Sequence, residues 1–282
     1  MKHLILFLIA GLLTVGMEAT AQTETTNLLV TMKDGSVTQF DINDIDSLSF
    51  RTTEVAEAPK PGDYYYGDGT WSTALNVSKT CIGVVFYVGD VASDDAKLQT
   101  KLGPTNKGNH GLVVALRDAS PTVWMAPSGN VEVSTSLNVM NGYSNTLTMR
   151  SWQANHADTP IALLNALDEY ASANQAPSTS SGWYVPSLKE LSTLCSGYTT
   201  DVLTNDYGDH GISMRQQVET CLKSLGDKAA DFVSSGTTRF YWSSTVLTEA
   251  HHMAVGFEKG TIRDVPSNDT NNPRSLRVVL AF

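Results

Sequence analysis

The chain has 282 residues and a formal net charge of −10, from 19 Lys and Arg against 29 Asp and Glu. With 17% charged and 41% hydrophobic residues it is too apolar for a disordered polyelectrolyte and long enough to bury a sizeable core. The acidic excess argues against a nucleic-acid partner or an anionic membrane surface.

Lys2 and His3 precede an apolar run from Leu4 to Leu13, followed by Ala19-Thr20-Ala21. The run is too short to span a bilayer, and the small-x-small triplet marks a cleavage site, so residues 1–21 read as a secretory signal peptide. The chain is then expected to be exported to the periplasm, cell surface or exterior, with no membrane insertion of its mature part. Removing Lys2 and Glu18 together leaves the net charge at −10.

Residues 22–52 read as a β-hairpin module. Leu28 to Met32 and Val37 to Phe40 flank Asp34-Gly35, and Gly after Asp supplies the positive φ of a tight turn. An isolated hairpin is marginal in water, so this one is expected to pack on a partner surface. Residues 53–62, with Pro59 and Pro61, read as an extended linker. From Asp63 to Phe282 the pattern is that of one domain.

In that domain Cys81–Val88 and Gly111–Leu116 are almost wholly apolar and predict buried strands. Helices are expected after Asp158-Thr159-Pro160, at the capping box Ser187–Glu190, and at a second capping box, Ser213–Gln216. Strands are expected again over 240–246, 253–258 and 276–282. Strand, strand, helices and then further strands is an α+β order rather than alternating βα units.

The three cysteines, Cys81, Cys195 and Cys221, all sit in apolar segments, which favours buried thiols. If a bridge forms in the exported protein, Cys195–Cys221 is the expected pair, since both face the core side of neighbouring helices. Asp201, Asp206 and Asp209 cluster with Asn205 and Gly208 and could hold Ca²⁺, although acidic Gly loops are usually plain turns. His251 and His252 are adjacent on a strand and must face opposite ways, which works against shared ligation of one ion. No phosphate loop, dinucleotide fingerprint, nucleophile elbow or zinc-protease motif occurs, so no catalytic residue and no cofactor is expected.

The strings YYYGDGTWS (64–72), CIGVVFYVG (81–89), HGLVVALRDAS (110–120), GWYVPSLKEL (182–191), YWSST (241–245) and LRVVLAF (276–282) together resemble a family. It is that of bacterial surface domains related to the Fibrobacter major paralogous domain and the 1566 family of unknown function. The N-terminal hairpin and its DIDSLSF ending resemble a module of Bacteroidetes secreted proteins. The resemblance implies a C-type-lectin-like fold, shared with the formylglycine-generating enzymes, and a surface binding or adhesion role. Those enzymes use a cysteine pair late in the domain. Here no Cys follows Cys221, and the calcium-dependent lectin triplets are missing, so neither activity is expected. The expected function is non-catalytic binding of a glycan or surface protein through loops at 247–252 and 263–275, with Asp264, Asn268, Asp269 and Arg274 contacting it. The alternative is a structural subunit of a surface appendage, with the hairpin as its assembly element.

Overall fold

The computed structural model describes residues 26–32, 34–47, 57–103, 110–124, 131–197, 203–204, 208–266, 269 and 272–282. The proposed signal peptide lies outside them, as do residues 48–56. The chain divides into two compact units, one through Val55 and one from Ala56 onward.

The first unit is the hairpin. Strands β1 (Asn27–Thr31) and β2 (Val37–Asp41) pair antiparallel, with Leu28 opposite Phe40 and Thr31 opposite Val37. Gly35 takes φ +85° at the turn. The Asp34 carboxylate accepts from Ser36 N and Ser36 Oγ, and these bonds hold its pKa below the usual range. Neither face of the ladder has a core of its own: Leu29, Val30, Met32, Val37, Phe40 and Ile42 are all exposed.

The second unit is a mixed α+β domain. One five-stranded sheet runs β12-β6-β5-β3-β4, built from β3 (Tyr64–Tyr66), β4 (Trp71–Ser72), β5 (Cys81–Val88), β6 (Gly111–Ala115) and β12 (Val279–Ala281). The other runs β10-β9-β8-β11-β7, from β7 (Ala119–Thr122), β8 (Phe240–Thr248), β9 (His251–Gly256), β10 (Thr261–Pro266) and β11 (Arg274–Leu276). All pairings are antiparallel except β8 with β11. Helices α1 (Ala96–Leu102), α2 (Gly142–Ala154), α3 (Ala162–Ala173), α4 (Leu188–Ser196) and α5 (Ser213–Ser224) complete it.

Alternate residues of each strand feed two separate cores. Val84, Val114, Tyr241, Val255, Ile262 and Val279 join Leu188, Leu191, Leu194, Val218 and Leu222 of α4 and α5. Val85, Val113, Trp242, Ala254, Val265 and Leu280 join Met149 of α2 and Leu163, Leu164 and Leu167 of α3. Both sheets are thus buried on both faces, which is why their strands read as continuous apolar runs rather than as alternation.

Several expectations need correcting. Residues 59–62, the end of the expected linker, pack against the domain: Pro59 is buried, Gly62 N donates to Val85 O at 2.8 Å, and Gln217 Nε2 donates to Pro61 O at 2.7 Å. The capping box at Ser187 forms, each partner satisfying the other's backbone N–H. The one at Ser213 does not, because Ser213 Oγ donates to Ser196 O instead and the helix starts from an uncapped Ile212. Helix α3 likewise starts from Ile161, beyond Pro160. The C-terminal run is two short strands, β11 and β12, interrupted at the wholly buried Arg277. Of the loops expected at 247–252 and 263–275, residues 247–248, 251–252 and 263–266 are instead in strands β8, β9 and β10.

Candidate functional site

The late part of the domain carries most of the residues singled out from the sequence. Asp264 and Arg274 do not meet there. Side chains alternate along β10, so Ile262 and Asp264 share one face while Arg263 and Val265 share the other. Asp264 lies 3.7 Å from His251 Nε2. Arg274, at the start of β11, packs its guanidinium 5.0 Å from the centre of the Trp242 ring.

Asp269 and Arg274 do come together. Arg274 Nη2 donates to Asp269 Oδ2 at 2.9 Å, Arg274 Nη1 donates to Asn272 O at 2.7 Å, and Asn272 Nδ2 donates to Asp269 Oδ1 at 2.6 Å. The Asn272 bond, helped by Arg274, holds the Asp269 carboxyl below its usual pKa range. Asn268 lies outside the described residues.

Arg274 belongs to a wider group, in which the sequence did not single out Arg239 or Arg263. Gly236, Arg239, Phe240, Arg263, Asn272 and Arg274 line an open pocket of about 290 Å³. Arg263 lies 4.8 Å and Arg239 5.3 Å from the centre of the Phe240 ring, a cation–π arrangement that uses one aromatic to seat two like charges. Arg239 also reaches Glu258 at 3.3 Å. The Nε atoms of Arg263 and Arg274 are buried with no hydrogen-bond partner.

Next to it, His252 lies flat on Trp124, ring centres 4.0 Å apart, with Trp242 edge-on at 6.5 Å. Neither imidazole nitrogen has a hydrogen-bond partner. Burial, reinforced by His251, pushes its pKa down to about 4. The two histidines face opposite ways, as adjacent strand residues must.

Among the other candidates, Asp201 and Asp206 lie outside the described residues. Asp209 accepts from Thr261 Oγ1 at 3.0 Å and pairs with Lys259 at 3.4 Å. Among the described residues no three His, Cys, Asp or Glu side chains gather as a metal site. The expected Cys195–Cys221 bridge is not formed: all three thiols are free. Cys195 Sγ lies against Gly211 O, whereas Cys221 Sγ lies against Gly62 O and is electrostatically coupled to Cys81. The helices are neighbours, but their cysteines face different backbone. Burial raises the Cys81 thiol to about 11 and Cys195 to about 12, which leaves both unreactive at neutral pH. No helix among the described residues is long and apolar enough to cross a membrane.

No protein-family model matches the chain. It is similar to a protein of Bacteroides ovatus named as a fimbrium tip subunit, 24% identical over 272 aligned residues covering 81% of this chain and 46% of that protein. Its fold matches the crystal structure of a fimbrial protein from the same organism. The TM-score there is 0.58 at 23% identity, over 79% of this chain and 49% of the other. The chain spans about half the length of both. At these identities the likeness establishes architecture: this α+β chain shares its fold with a fimbrial protein.

Proposed function

We propose that the protein is a non-catalytic subunit of a bacterial surface appendage, exported and assembled through its N-terminal hairpin. The observation that carries this is the agreement of two comparisons, by sequence and by fold, on fimbrial proteins over about four-fifths of the chain. The hairpin supports the assembly role, because Leu29, Val37 and Phe40 stay exposed on a ladder without a core. An exposed two-stranded ladder also has two free edges to which another chain can add. Its partner is then another exported surface protein.

The C-type-lectin-like reading of the domain rests on the ordered sequence strings. It is supported by the last strand, β12, pairing in the same sheet as the first, β3. Adhesion to a glycan or protein is a second role compatible with an appendage subunit, favoured by the Asp269–Arg274 corner.

Deleting residues 22–52 separates the roles. An appendage subunit lacking its hairpin is exported and folded but missing from sheared surface fibres. A freely acting binding protein keeps its partner after the deletion, and that result would replace the assembly role.

A further inference from the structure

We propose that the arginine pocket between β8, β10 and β11 binds the anionic group of an acidic glycan, a uronate carboxylate or a sulfate ester. This inference does not depend on the assembly role of the hairpin.

The first observation is charge. The chain is strongly acidic, at −10, yet among the described residues the lining of this pocket carries three arginines and no acid. Like charges brought together cost free energy unless something offsets them. Arg239 and Arg274 have carboxylate partners, Glu258 and Asp269, whereas Arg263 has no ion pair among the described residues. The second observation is the buried Nε of Arg274, a side chain itself only 7% exposed, and the buried Nε of Arg263, both without partners. Arg274 already spends Nη1 on Asn272 O and Nη2 on Asp269 Oδ2, so the guanidinium left to meet an oxyanion with parallel N–H donors is that of Arg263.

The surroundings select the carrier. At about 290 Å³ the pocket holds something of monosaccharide size. Among the described residues its lining has no aliphatic side chain, and the Phe240 ring is already covered by guanidinium groups. An apolar peptide anchor therefore finds nothing to pack on, while the Asn272 amide and the arginine N–H groups suit sugar hydroxyls. The overall negative charge repels long polyanions such as nucleic acid at long range, so a short acidic oligosaccharide is favoured.

The test is calorimetric titration of the full chain at low salt with four probes: a hexagalacturonide, a sulfated galactan oligomer, the neutral galactan oligomer, and hexaglutamate. We expect binding of either or both acidic sugars, weakened about tenfold or more in Arg263→Gln and in Arg239→Gln, and weakened by added salt. Both variants leave Arg274 on Trp242, and thermal melts check that they fold. Arg150→Gln, which removes a surface arginine outside the pocket, keeps wild-type binding. The proposal is overturned if no probe binds or if the neutral oligomer binds equally. It is also overturned if hexaglutamate binds as well as the sugars, or if Arg263→Gln binds like the wild type.

Discussion

The Glu190 carboxylate rests against the backbone of Gly142. A Cβ on Gly142 would lie 2.3 Å from Glu190 Oε2 and 2.6 Å from Ser187 N. The same carboxylate closes the capping box of α4, accepting from Ser187 N at 2.7 Å, and accepts from Tyr184 Oη at 3.1 Å. One buried acid thereby joins the starts of α2 and α4.

Gly142→Ala is therefore expected to destabilise the domain by about 2–3 kcal/mol, as overpacked core sites do. Urea unfolding measures it. A change within error of zero would mean that the two helices part easily.

Burial raises the Glu190 pKa to about 7. Its folded pKa lies above the unfolded value, so its contribution is full below about pH 4.5 and is lost as pH rises to about 7. Neutralising this acid removes a penalty of roughly 3 kcal/mol at pH 8. Glu190→Gln should thus gain stability relative to wild type as pH rises from 4.5 to 8. His252 has the opposite sign. Its depressed pKa makes its contribution full above about pH 6.5 and lost as pH falls toward 4. The two slopes oppose each other in wild type, so His252→Phe should unmask the Glu190 slope. Melting curves across this range check both signs.

Arg277 is wholly buried, with a bond to Asp118 and bonds to Ala115 O, Ala230 O and Asp231 O at 3.1–3.2 Å. Arg277→Met strands Asp118, to which Tyr241 Oη also donates, and should cost about 3–5 kcal/mol. Chemical denaturation reads the loss; a loss under 1 kcal/mol would show that the network adds little beyond packing.

The thiol state is open to a simple count. Denatured, unreduced protein should titrate as three thiols, matching the three free cysteines, and prior reduction should add none. A single reactive thiol before reduction would reinstate a bridge.

The legible parts of the sequence were those with one dominant signal. Cys81–Val88 is β5 residue for residue, and the Asp34-Gly35 turn and the Ser187 box are where the motifs put them. Helix α2 was not legible, because its buried face includes Asn145 and Thr146. Their side chains bond Ser244 Oγ, Ser134 N and Val185 N, so burial there is polar and leaves no apolar stripe. Strand β10 was missed for a related reason. Ile262 and Val265 point into different cores, which erases the period-two alternation that would have revealed it. With β10 read as loop, Arg263 was overlooked, and Asp264 was grouped with residues on the opposite face. Arg239, in the turn just before β8, carries no periodic signal at all.

The central proposal is that the hairpin joins the chain to other exported proteins. A photo-crosslinking amino acid at Phe40, exposed on the hairpin, tests it in intact cells against the same residue at Val77, exposed on the domain. The account predicts a ladder of covalent adducts with other surface subunits from position 40 and not from position 77. Monomer alone from position 40, with the protein present at the surface, would contradict it.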